Sequence, residues 1–252
     1  MAALEEVAQV AAGEKQSINP EAELSELVPR LREAAGRNLV SVIVYGSAAG
    51  KDFRREYSDL NVLVVANKFP LEALKALSPV MTWWRERGHP PVVLFTRDEI
   101  DRSADVFAIE LYDMKERHRV LEGEDVFAKL EIPMSLHRVQ LEHELRTNLL
   151  RLRQAYIADT GEQSVMHLML QSISTFGTLF RHVLIALGQQ PPAHRREATV
   201  KLGEVVGFDP KPFVEIYDMR EGRSHAMHVD DTFRIYLFAI EQVTNWVDKK
   251  LE

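Results

Sequence analysis

The sequence contains no cysteine. That removes disulfides, thiolate metal sites, iron–sulfur ligation and a cysteine nucleophile together. It also lacks any apolar run approaching the roughly 18 residues that a membrane-spanning helix requires, so no membrane partner is expected. Basic charge is in short supply: 31 lysines and arginines stand against 38 acids, a formal charge of −7. Acids outnumber bases in both halves of the chain. Broad binding to DNA or RNA depends on neutralising many phosphates and finds no support here, although a local basic cleft can still hold one nucleotide. Glu5 and Glu6 stand where a secretory signal would carry positive charge, so the N-terminus reads as part of the folded protein and a cytoplasmic location is expected. What remains is ordinary for a globular protein, 46% hydrophobic and 27% charged over 252 residues. That length suits one large or two modest domains with a core that needs no staples.

Hydrophobic periodicity divides the chain into a mixed first half and an almost wholly helical second half. Asn19-Pro20 is a helix start signal, ahead of an apolar stripe at Leu24, Leu27, Val28 and Leu31. Leu39 to Tyr45 and Leu60 to Val65 are short β-branched runs that read as buried strands, and Val92 to Phe95 reads as a third. Between the second and third, Leu74, Leu77, Met81 and Trp84 recur at helical spacing until Gly88 and His89-Pro90-Pro91 stop them. Residues 117–121 suit another strand, and 106–111 suit either a strand or a helix. From about Pro133 the strand signals cease. Leu141 to Tyr156, Val165 to Leu187 and Phe233 to Val247 carry three helical stripes, the middle one apolar enough to lie centrally. Shorter helices around 196–206 and 210–218 complete an expected antiparallel bundle. The change of periodicity and Pro133 divide the chain into domains at 1–130 and 131–252.

The motif that carries chemistry is Val42-Ile43-Val44-Tyr45-Gly46-Ser47, then eleven residues, then Asp59-Leu60-Asn61 opening the next apolar run. A strand ending in Gly-Ser offers backbone N–H groups and a hydroxyl to an anion, and glycine allows a phosphate close to the backbone. On a strand, alternation puts Asp59 and Asn61 on one face and Leu60 and Val62 on the other.

This pattern resembles the nucleotidyltransferase superfamily, with its hydrophobic strand, Gly-Ser, similar gap and Asp-x-Asp or Asp-x-Glu on the next strand. The resemblance extends to the layout of the kanamycin-type and related minor nucleotidyltransferases. It implies an α/β (α+β) fold, a nucleotidyltransferase-like mixed sheet with flanking helices followed by an all-α helical bundle. It further implies transfer of a nucleoside monophosphate from a magnesium-bound nucleoside triphosphate such as ATP to an acceptor hydroxyl, with two cations neutralising the attacking and leaving oxygens. Gly46 and Ser47, with Lys51 and Arg54, would hold the phosphates, and Asp59 with Asn61 would hold Mg²⁺. Arg55 lies in the same connection.

Two departures bear on activity. Asn61 stands where the family has a carboxylate, and magnesium sites lean on one or two carboxylates. The third carboxylate of the family has no counterpart within Val92 to Phe95; Asp98 and Glu99 follow that run, and Glu110 and Asp113 qualify only if the later segment is a strand. A catalytically impaired nucleotide- or partner-binding protein on the same fold is therefore the alternative.

Arg220 and His225 have a spacing that resembles the Arg-x4-6-His element of HEPN-type helical ribonucleases, which implies a third reading as a ribonuclease. His225 and His228, with Asp230 and Asp231 nearby, have the spacing of a metal pair but no defined third ligand. Of the adjacent Trp83 and Trp84, one fits the buried stripe of its helix and the other is exposed by default, and the Met and Phe residues of 165–187 sit at core spacing. Arg195 and Arg196 read as a solvated charge pair. The acceptor is unnamed by the sequence, and a homodimer stays open as a partner.

Overall fold

A computed structural model describes residues 19–50, 60–224 and 227–250. Their contacts gather into two compact units, Met1–Ala104 with Glu110–Ile132, and Asp105–Ile109 with Pro133–Glu252.

The first unit is built on four strands, β1 (Leu39–Tyr45), β2 (Asn61–Ala66), β3 (Val93–Thr96) and β4 (His118–Gly123), in the order β3-β2-β1-β4. β1 runs antiparallel to both β2 and β4, whereas β3 lies parallel to β2. Strand alternation gives the sheet two apolar faces. Val42, Val44, Val62 and Val64 face helices α1 (Pro20–Ala35) and α2 (Leu71–Glu86), meeting Leu24, Leu27, Leu31, Leu77, Val80 and Trp84. Ile43, Leu63 and Val65 point the other way, into Ile100, Leu111, Met114, Phe127 and Leu130. α1 begins as the Asn19-Pro20 signal predicts: the Asn19 side chain accepts from the Glu21 N–H at 3.2 Å, satisfying one orphan donor of the first turn. Each fully buried leucine of its stripe contributes roughly 1.5–3 kcal/mol.

The buried face of α2 is Leu77, Val80 and Trp84, while Leu74 is exposed and Met81 only half-buried. The inward stripe thus runs i, i+3, i+7. Trp84 is core, its indole N–H donating to Pro90 O at 3.0 Å. Trp83 is half-buried, with Arg30 and Arg87 each over its ring at 4.4 and 4.3 Å. Of the two readings for residues 106–111, the helix is the one formed. After the short α3 (Arg97–Arg102), α4 spans Ala108–Glu116, and its Ile109 N–H is held by Gln140 Oε1 at 3.0 Å.

The second unit is all helix: α5 (Met134–Ala158), α6 (Glu162–Ala186), α7 (Arg195–Val206), α8 (Lys211–Arg220) and α9 (Val229–Lys250). α6 packs against each of the other four and is the central helix, as its apolar character predicts. Phe176, Phe180, Phe213 and Tyr236 are linked by ring contacts through its core, tilted except for the edge-on Phe176–Tyr236 contact. α5 ends at Ala158, three residues before Gly161, which is the N-cap residue of α6. Among the described residues no helix is long and apolar enough to cross a membrane.

Candidate functional site

The end of β1 is where the predicted motif takes shape. Tyr45 is still extended, and Gly46 then swings to φ +76°, opening a 3-10 turn over Gly46–Ala49. That left-handed conformation is the one glycine adopts without steric cost. Ser47 is half-buried in the turn and Ala48 is buried. The Gly46 N–H does not stay free for an anion as the sequence suggested; it donates to Arg117 O at 2.8 Å. Whatever the turn offers a ligand comes from Ser47 and beyond.

Tyr45 lies in register with Asn61 on β2 and with His118 on β4, so the three form a row across the sheet immediately before the turn. Asn61 shares its face with Leu63 and Val65, opposite Leu60 and Val62, as period-two alternation requires. A Cβ added at Gly46 would stand 3.6 Å from Asn61 Nδ2, so the Asn61 amide lies directly beside the glycine turn. Asp59, Lys51, Arg54 and Arg55, the other residues assigned to this site from sequence, lie outside the described residues.

No carboxylate lines the neighbouring strand. Val93 and Phe95 sit beside Leu63 and Val65, and β3 contains no acid. Asp98 and Glu99 belong to α3. Glu99 closes a capping box with Thr96, accepting the Thr96 N–H at 2.7 Å while its own N–H donates to Thr96 Oγ1 at 3.2 Å. Asp98 pairs with Arg102 at 3.5 Å on an exposed surface. Glu110 and Asp113 lie on the helix α4, so the strand that would have made them candidates does not form.

On the other side of the Tyr45 row stands a pair the sequence did not suggest. His118 Nε2 is 3.1 Å from Asp125 Oδ1, His118 Nδ1 is 2.9 Å from Lys115 O, and the ring meets Phe127 edge-on at 4.9 Å. Asp125 Oδ1 is itself fixed by the Phe127 N–H at 2.9 Å. With an oxygen acceptor at each ring nitrogen, this histidine braces the start of β4. Tyr45 beside it is half-buried, and burial pushes its phenol above the ordinary tyrosine range. Only the register of β1 with β4, two segments far apart in sequence, brings these groups together.

In the helical unit Arg220 donates from Nη1 to Ser174 Oγ. His225 lies outside the described residues, and His228 is exposed just before α9. Arg196 is no solvated charge: it grips Asp218 with two hydrogen bonds at 2.7 and 3.2 Å. An open hollow of about 420 Å³, lined by Met134, Arg138, Ile185 and Lys250 among others, contains none of the residues predicted for a site.

Magnesium is the cofactor the motif implies. Among the described residues no group of three histidine, aspartate or glutamate side chains is placed to hold a metal. Asn61 contributes one neutral amide oxygen and β3 no acid. These described donors do not fit a two-cation centre, which needs several carboxylates.

No family model and no curated protein sequence matches this chain. Its fold is similar to a crystal structure of spectinomycin adenyltransferase AAD(9) from Enterococcus faecialis with ATP and spectinomycin. The two align with a TM-score of 0.62 at 14% identity, over 91% of this chain and 100% of the other. At that identity the likeness speaks for the fold: a mixed α/β region with a four-stranded sheet and flanking helices, followed by an all-α bundle, as in nucleotidyltransferases.

Proposed function

We propose that this protein binds a nucleoside triphosphate at the Gly46–Ser47 turn and transfers the nucleoside monophosphate, slowly, to a hydroxyl on a small acceptor molecule. The observation that carries the reading is the Asn61 amide beside the positive-φ Gly46, on strands whose fold is similar to that of an adenyltransferase. That protein was solved with ATP and spectinomycin, which supports ATP as the nucleotide and a small polar molecule as the acceptor. Ser47 would contact the phosphates, with Lys51 and Arg54 adding charge. Asp59 and Asn61 would hold at most a single magnesium ion, which when bound supplies charge neutralisation on the phosphates. Transfer is slow because charge stabilisation worth several kcal/mol sets orders of magnitude in rate, and this site has an amide at the second carboxylate position. Binding without turnover is the second reading, favoured by the acid-free β3.

The deciding experiment follows pyrophosphate release from ATP in the presence of candidate acceptors, in wild type, Asn61→Asp and Asp59→Ala. The transferase reading expects weak magnesium-dependent release that rises in Asn61→Asp and vanishes in Asp59→Ala. Nucleotide binding with no release in wild type or Asn61→Asp supports the second reading. Absence of nucleotide binding altogether removes both.

A further inference from the structure

Three helices of the second unit converge around one notch. Gly177 on α6 leaves room for the hydroxyl of Tyr217 from α8: a Cβ at Gly177 would lie 2.0 Å from Tyr217 Oη and 3.1 Å from Arg195 Cβ at the start of α7. One turn away on each helix, Arg220 of α8 reaches Ser174 Oγ of α6. The Arg195 and Arg220 side chains thus flank one buried phenol, and both charges act on it. Burial pushes the Tyr217 phenol upward and the Glu221 carboxylate adds to that, while a hydrogen bond with Thr199 and the two guanidiniums pull it down.

The carboxylates of the neighbourhood are already engaged. Asp218 takes Arg196 at 2.7 Å and Arg223 at 2.9 Å, and Arg223 also pairs with Glu221. Among the described residues neither Arg195 nor Arg220 has a carboxylate within ion-pair distance. Four arginines therefore face two acids in a chain whose overall charge is −7. Both arginines are exposed, so solvent screens one from the other, and an anion that bridges them gains attraction from both. Guanidinium forks match phosphate oxygens with paired hydrogen bonds, and Arg220 uses one of its five donors on Ser174, leaving the rest.

We propose that Arg195 and Arg220, with Ser174, form a binding site for the phosphate groups of a small ligand on the helical unit. The site does not depend on the nucleotide reading of the sheet. A single phosphate, a pyrophosphate and the polyphosphate tail of a nucleotide share the chemistry, and their relative affinities identify the source.

The test is calorimetric titration of the whole chain, with magnesium chelated, using inorganic phosphate, pyrophosphate, ATP and a short single-stranded RNA. Pyrophosphate is expected to bind, more weakly as salt rises. Arg195→Gln and Arg220→Gln should each lower that affinity about tenfold or more, the loss of a charged hydrogen bond, and the double variant should abolish it. Arg102→Gln, on the exposed surface of the first unit, should leave it unchanged. ATP binding tighter than that of pyrophosphate and weakened in Arg195→Gln assigns the site to nucleotides, because ATP held only at the Gly46–Ser47 turn does not respond to that variant; ATP binding that Arg195→Gln leaves unchanged, beside pyrophosphate binding that it weakens, assigns the site to the free polyphosphate. Should Arg220→Gln disturb folding by circular dichroism, Arg195→Gln decides alone. Pyrophosphate affinity unchanged in Arg195→Gln, no affinity in wild type, or a preference for RNA over every small ligand overturns the proposal.

Discussion

Gly46 and Asn61 meet across two antiparallel strands, with the place for a Gly46 Cβ 3.6 Å from the amide nitrogen of Asn61. That spacing is ordinary van der Waals contact, so a methyl group fits there. The constraint at Gly46 is instead its backbone, at φ +76°. Gly46→Ala is expected to cost about 1–2 kcal/mol, the penalty of a left-handed L-residue. It should also weaken ATP binding as the turn relaxes. Thermal unfolding followed beside ATP titration checks both, and an unperturbed melt would mean the turn does not need glycine.

In the helical unit the glycine constraint is steric. Gly177→Ala puts a methyl group on the Tyr217 hydroxyl, 2.0 Å away, and overpacking of this kind destabilises by about 1–3 kcal/mol. Tyr217→Phe removes the obstructing oxygen. Denaturant unfolding of the two single variants and the double should show the Gly177→Ala cost shrinking in the Tyr217→Phe background. Additive losses would show that the two groups do not meet.

Arg32 and Glu122 tie α1 to β4 through an exposed pair, with Arg32 Nε donating to Glu122 Oε1 at 2.9 Å and Nη2 closing on the other oxygen. The hydrogen bond from Arg32 is the main reason the Glu122 carboxyl lies below the usual glutamate range. A carboxyl depressed on folding contributes stability that is present above its unfolded pKa. That contribution is lost as pH falls through the folded value. Carboxyl NMR titration should place Glu122 below an ordinary glutamate, and Arg32→Ala should move it back up.

Much of this was legible in the sequence because it depends on local pattern. The β-branched runs ending at Tyr45 and beginning before Asn61 fix two central strands, and alternation alone puts Asn61 opposite Val62. The Asn19 cap and the apolar stripe of α6 are equally local. Residues 106–111 suit both a helix and a strand because a short apolar run fits either until its partners are known. What stayed hidden depends on contacts between distant segments. The Gly46 N–H is lost to Arg117 O through β1–β4 pairing, which no local pattern shows. His118 finds Asp125 only once β4 is in place. Likewise Arg195 and Arg220 converge because Gly177 lets α8 approach α6, and nothing in their spacing marks them as neighbours.

The central claim is that the Gly46–Ser47 turn and the strand carrying Asn61 address one nucleotide. Calorimetric titration with ATP, with and without magnesium, in wild type, Ser47→Ala and Asp59→Ala tests it most directly. The account predicts binding to wild type that strengthens with magnesium, weakens about tenfold when the Ser47 hydroxyl goes, and loses its magnesium dependence in Asp59→Ala. Identical ATP affinity in all three proteins, with or without the cation, would contradict it.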